Sequence, residues 1–79
     1  MIKNPRVGMK VRYRSYLLNT EKALEGRIVG IAPDDMSLAI EFQNFEGHEC
    51  GGYTPENNGW WVPAYSEHLI EISKFNSLI

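Results

Sequence analysis

The stretch Arg27–Phe42, RIVGIAPDDMSLAIEF, decides the fold. Its first part, Arg27-Ile28-Val29-Gly30-Ile31-Ala32, follows Gly26 and is rich in β-branched residues, which suit a pleated, half-buried surface. Its last part, Ser37-Leu38-Ala39-Ile40-Glu41-Phe42, alternates, with Leu38, Ile40 and Phe42 on one face. Between them Pro33-Asp34-Asp35 spells a turn, because proline presets φ and aspartate side chains bond nearby amides. Two such strands joined by a turn make a β-hairpin.

Upstream, Lys10-Val11-Arg12-Tyr13-Arg14-Ser15 sets Val11 and Tyr13 against three cations, a strand with a buried face and a basic one. The intervening Asn19–Glu25, NTEKALE, is too short to hold a helix alone and reads as a loop. Downstream, residues 46–59 carry four glycines, a proline and two asparagines. Loops of that length inside compact domains are uncommon and often functional. Trp60-Trp61-Val62 then re-enters the core. After Pro63, Ser66-Glu67-His68 reads as a tight turn of 3₁₀ type, and Leu69-Ile70-Glu71-Ile72 as a last strand. Lys74 to Ile79 form a tail that frays or closes the barrel. The expectation is a mostly β domain, a small SH3-like five-stranded barrel with a long Gly-rich loop before the fourth strand. An OB-like barrel is the alternative, but it wants a longer chain and a helix where this loop stands. An SH3-like barrel is not fully closed, so an edge such as Leu38–Phe42 could pair with a copy, giving a monomer or a weak homodimer.

Seventy-nine residues make a single domain, 1–79, with its core expected over about 7–72 and a tail at 73–79. A hydrophobic fraction of 43%, with two Trp, four Tyr and three Phe, supplies one compact core. The lone Cys50 rules out an intramolecular disulfide and fits a reducing compartment. The opening Met1-Ile2-Lys3-Asn4-Pro5-Arg6 is polar and broken by proline, so neither a signal peptide nor a membrane span is expected, and the location expected is cytoplasmic. The net charge of −2 argues against indiscriminate nucleic-acid binding. Its distribution is uneven: residues 1–27 carry seven cations against two acids, and residues 28–79 carry one cation against eight acids. Strands interleave in a barrel, so charges partly paired between neighbouring strands are the first expectation.

Three constellations could carry chemistry. His48 and Cys50 form an H-x-C pair in the glycine-rich loop, with His68 elsewhere. Zinc wants four ligands in paired spacings, and one cysteine with two histidines falls short. The residues read instead as packing that holds the loop against the tryptophans. A cysteine nucleophile would need a histidine within reach and a site that excludes water, which so small a barrel hardly offers. The glycines match no phosphate-cradling loop. No metal, cofactor or enzymatic activity is therefore expected. Secondly, adjacent Trp60 and Trp61 must point to opposite faces of a strand, with Trp60 and Val62 taken as inward and Trp61 as outward. An outward Trp61 beside Tyr53, Tyr65 and Pro55, with His48 in the same loop, would make an aromatic patch of the kind found at protein interfaces. The competing expectation is that the long loop folds back and covers it. Thirdly, Lys10, Arg12 and Arg14, with Arg27 adjacent and Tyr16 on the same face, could meet phosphates or an acidic protein surface. A merely solvated face is the plainer reading.

The residues Gly47-His48-Glu49-Cys50-Gly51-Gly52, Gly59-Trp60-Trp61-Val62 and His68-Leu69-Ile70-Glu71-Ile72 resemble small, uncharacterised proteins of bacteriophages and mobile elements. The strand order is similar to SH3-like, KOW-type barrels. The resemblance spans roughly residues 7–72, and the GHxCGG and GWWV elements carry most of it. It implies no catalytic residues. It implies an accessory protein that binds and inhibits or redirects a host protein, such as defence or transcription machinery. The alternatives are a nucleic-acid-binding barrel and a small metal-binding protein.

Overall fold

Alternation along short segments is realised as strands wherever one face can be buried. In the computed structural model, which describes residues 2–14, 23–33 and 36–72, the strands are β1 (Lys10–Tyr13), β2 (Leu24–Ile31), β3 (Ser37–Phe42), β4 (Gly59–Pro63) and β5 (Leu69–Glu71). They form one antiparallel sheet in the order β4-β3-β2-β1-β5, curled into the half-barrel of a small SH3-like domain. A single 3₁₀ turn, Cys50–Gly52, interrupts the loop between β3 and β4. Among the described residues no helix is long and apolar enough to cross a membrane.

The concave side is the core. Val11, Ile28, Leu38, Ile40, Val62 and Leu69 are fully buried there, each from a different turn of the alternation, with Phe42 and Tyr13 beside them. Burying each large side chain contributes roughly 1.5–3 kcal/mol, which is what a short chain needs to offset its ordering. Ile2 also belongs to this cluster: its N–H donates to the Ala64 carbonyl at 2.9 Å. The core therefore begins before residue 7, because the N-terminal segment tucks against the end of β4.

Several boundaries differ from the sequence reading. β2 starts at Leu24, inside the segment read as a loop, because Leu24 and Glu25 pair with Tyr13 and Arg12. Cross-strand pairing outweighed a local composition that suits a helical turn. β1 ends at Tyr13; Ser15, Tyr16, residues 19–22, Asp34, Asp35 and the tail at 73–79 lie outside the described residues. The turn at Ser66–His68 is present, with Ser66 N–H donating to Pro63 and Leu69 N–H to Ser66.

The β3 strand is not an edge. It pairs with β2 on one side and β4 on the other, so Leu38–Phe42 offers nothing to a second copy. One outer edge of the sheet is β4, and it is blunted. Bonds from Phe42 N–H to Asn58 and from Ala64 N–H to Met36 point the even-numbered residues of β4 at β3. The outward positions are Gly59, Trp61 and Pro63. Gly59 is bonded in both directions to His48, and Pro63 has no N–H, so Trp61 alone presents an amide along that edge.

The pairing of β2 with β3 slips at one place. Ile28 faces Ile40, but the next pair is Gly30 with Ala39, so Val29 is an extra residue in a β-bulge. Because side chains alternate with period two, the bulge turns Gly30 to the convex face and lets Ile31 return to the core. At the centre of this packing, Ile40→Ala is expected to cost about 2–5 kcal/mol and Ile40→Val only about 0.5–1.5 kcal/mol. Urea unfolding of the two variants checks this, and similar small losses from both would contradict the burial described.

Candidate functional site: an aromatic surface over β3 and β4

The Trp60-Trp61 pair builds two aromatic systems on opposite sides of β4. On the core side, rings run in contact from Tyr13 through Phe42, Phe45 and Trp60 to His48. The last step is a stack, with His48 and Trp60 centroids 4.6 Å apart and planes inclined by 28°. On the convex side, Trp61 meets Tyr53 edge-to-face, at 5.9 Å and 88°. Trp61 is 37% exposed and Tyr53 49% exposed.

The loop between β3 and β4 reaches both sides of the strand because its base is closed tightly. His48 and Gly59 form a two-way backbone bridge, and Gly47 N–H donates to Asn57. Thr54, fully buried, donates its hydroxyl to the His48 carbonyl at 2.7 Å while its own N–H bonds Glu49. A Cβ at Gly59 would collide with the Thr54 side chain, so only glycine lets the two limbs close. Between these pins the chain makes one left-handed turn, with φ of 52°, 63° and 101° at Cys50, Gly51 and Gly52. The left-handed region costs a non-glycine residue roughly 1–2 kcal/mol. Cys50 holds it while buried, and the turn delivers Tyr53 onto the sheet.

Tyr53 lands on Gly30. A Cβ there would lie 2.6–2.8 Å from three atoms of the Tyr53 ring, so the ring rests where any side chain would stand. Ala39 lies between Gly30 and Trp61 in the ladder, points away from the core, and is nevertheless fully buried. Small residues at 30 and 39 thus form a trough, with Tyr53 over one end and Trp61 along the other.

The expected site residues are therefore divided. Tyr53 and Trp61 come together as a surface. The loop does fold back over the convex face, but it leaves Trp61 partly open. His48 does not join them: its ring belongs to the opposite side, against Trp60. Tyr65 is 67% exposed in the turn after β4 and makes no ring contact among the described residues. The preceding residue, Ala64, bonds through its N–H to the carbonyl of Met36, itself exposed. Gly30 and Ala39 were missed as parts of the site. An isolated glycine within a strand pattern is the signal that could have found the first, since it marks a bulge or a close approach.

The basic strand is exposed but diluted by acids. Arg12 forms an exposed ion pair with Glu25 at 3.1 Å. Lys10 lies opposite Arg27, and Arg27 is flanked on its other side by Glu41. A shallow cleft at this place is lined by Lys10 and Arg27 but also by Glu25 and Glu41. Arg14 follows β1, its N–H donating to the His68 carbonyl. Among the described residues no three His, Cys, Asp or Glu side chains gather as metal ligands. His48 is engaged with Trp60, Cys50 is buried, and His68 lies 3.7 Å from Glu67.

No family model, curated protein or solved structure matches this chain.

Two substitutions test the construction. Thr54→Val removes the buried hydroxyl and leaves the His48 carbonyl only its bond from the Gly59 N–H, at an expected cost of about 0.5–1.5 kcal/mol for the lost hydrogen bond. Amide exchange at residues 49–57 should quicken more than in the sheet, and uniform quickening would show that the pin is not local. Gly30→Ala should displace Tyr53 and weaken the near-ultraviolet circular dichroism of the Tyr53–Trp61 pair while the core rings keep theirs.

Proposed function

We propose that this chain is a non-enzymatic binding module that docks on another protein through the convex surface of Tyr53 and Trp61, with the exposed Tyr65 and Met36 as further contacts. The observation that carries the reading is the exposed, perpendicular Tyr53–Trp61 pair held on a close-packed floor of Gly30 and Ala39. A chain this short would ordinarily spend its tryptophans on the core. Here the loop is pinned by backbone bonds, a buried threonine and a left-handed turn so that one indole stays open. Rigid aromatic anchors lose little freedom on binding and recur as the dominant contacts of protein interfaces. Of the six large hydrophobic residues exposed among the described residues, Met36, Tyr53, Trp61 and Tyr65 all belong to β3, β4 and their adjoining turns.

The resemblance of the GHxCGG and GWWV elements to bacteriophage proteins supports a more specific form. In it the chain is a phage-encoded accessory protein acting in the host cytoplasm, and its partner is a host protein that it inhibits or modulates. The alternative, nucleic-acid binding along Lys10, Arg12, Arg14 and Arg27, is supported less, since Glu25 and Glu41 neutralise part of that face.

The test is an affinity capture from bacterial lysate with the wild-type chain, Trp61→Ala and Tyr65→Ala, repeated after nuclease and at raised salt. Circular dichroism and melting of each variant show that the barrel is retained. One stoichiometric protein held by the wild type through both treatments, and reduced about tenfold or more by Trp61→Ala, is the expected result. Retention by Trp61→Ala equal to wild type would remove the aromatic surface from the interface. Loss of all partners after nuclease would move the function to the basic strand.

A further inference from the structure

The aromatic surface lies in the acidic half of the molecule. From Met36 to His68 there are five glutamates, at 41, 46, 49, 56 and 67, and not one lysine or arginine. All five are exposed. Glu46, Glu49 and Glu56 have no ion-pair partner among the described residues, while Glu41 faces Arg27 across the β2–β3 ladder without forming an ion pair among them. The cations among the described residues lie elsewhere: Lys3 and Arg6 on the N-terminal segment, Lys10, Arg12 and Arg14 on or just after β1, and Arg27 on β2. The sequence asymmetry is thus not averaged away by the strand order, because β3, the loop and β4 are consecutive in the chain and adjacent in the fold.

Three of these acids neighbour the two ring-bearing residues, one in the ladder and two along the chain. Glu41 points outward on β3, two residues along from Ala39, which puts it diagonal to Trp61 in the ladder. A diagonal neighbour is within reach of a long side chain. Glu49 accepts the Thr54 N–H through its carbonyl, so it begins the turn that ends at Tyr53. Glu56 lies in the next turn, closed by Asn57 N–H donating to Thr54. Two aromatic rings at a right angle, in a stretch of chain whose only charged residues are glutamates, offer a cation both ring quadrupoles and a negative field.

We infer that the Tyr53–Trp61 surface recognises a lysine- or arginine-bearing extended segment of its partner, one cationic side chain packing on the Trp61 and Tyr53 rings while Glu41, Glu49 and Glu56 attract its neighbours. This rests on the docking surface proposed above and adds the chemistry of what docks. Arginine is the favoured cation, since its planar guanidinium stacks on rings and is weakly hydrated. Charge complementarity decides against an acidic segment or a nucleic acid at this surface, because both would meet the exposed carboxylates of Glu41, Glu49 and Glu56. An uncharged proline-rich segment would leave those carboxylates without a role.

The test uses the full chain, labelled with ¹⁵N, and four synthetic peptides of one length: glycine alternating with arginine, with lysine, with glutamate and with proline. The arginine peptide is expected to move the Trp61 indole and the amides of Gly30, Ala39 and Tyr53, the lysine peptide less so, and the glutamate peptide not at all. Binding of the arginine peptide should weaken as salt rises. Trp61→Ala, which keeps every charge, should weaken it about tenfold. The triple variant Glu41→Gln, Glu49→Gln, Glu56→Gln, which keeps both rings, should weaken it by about three- to tenfold. If Trp61→Ala binds the arginine peptide as wild type does, the attraction is general charge and the inference falls. If the proline peptide moves the same resonances as strongly, the docking surface stands but its cationic preference is overturned. No movement with any peptide overturns the preference too, while the capture experiment decides the docking surface separately. Concentration-dependent movement of Trp61 without peptide would assign the surface to the basic strand of a second copy, not to a partner.

Discussion

The loop's grip on both sides of β4 is the constraint on which the rest depends. Adjacent tryptophans on a pleated strand cannot share a face, so a chain with Trp60-Trp61 must cover two indoles from two directions. One loop does both. Its first limb bridges His48 to Gly59 and stacks the imidazole on Trp60; its left-handed turn carries Tyr53 across to Trp61. The buried Thr54 hydroxyl, bonded to the His48 carbonyl, keeps the two limbs together. A loop without these pins would leave Trp60 open and Tyr53 unplaced, and the barrel would lose its rim.

The β2 bulge answers this loop from the opposite direction. Were Val29 paired regularly and not bulged, Gly30 would face the core and Ile31 the solvent. With the bulge, a glycine arrives under the Tyr53 ring and an isoleucine joins the core. The convex face acquires a small second packing layer of Gly30, Ala39, Tyr53 and Trp61, outside the main cluster. It is too thin to close completely, and its open side is the exposed indole. Packing and candidate function share the same atoms here.

Charge follows the same division. The half built from β1 and β2 bears the arginines, and the half built from β3, the loop and β4 bears only glutamates. The Arg12–Glu25 ion pair lies within the first half, between β1 and β2, and being exposed contributes little to stability. The segregation acts outward, on what approaches each face.

Alternation of apolar residues by itself determined the strands at Lys10–Tyr13, Ser37–Phe42 and around Trp60–Val62, because a period of two leaves no other way to bury Val11, Leu38, Ile40 and Val62. It also determined that one indole must point outward. The long Gly-rich loop was legible as a special element from composition. What it does was not, since Thr54 reaching back to His48 and Tyr53 reaching Gly30 are contacts between positions that carry no local periodicity. Only the tertiary structure decided that β2 begins at Leu24, that β3 is interior, that His48 serves Trp60 instead of Trp61, and that Ile2 enters the core. Each of these turns on pairing between distant segments, whose energy exceeds local preference and appears only when the strands have found their order.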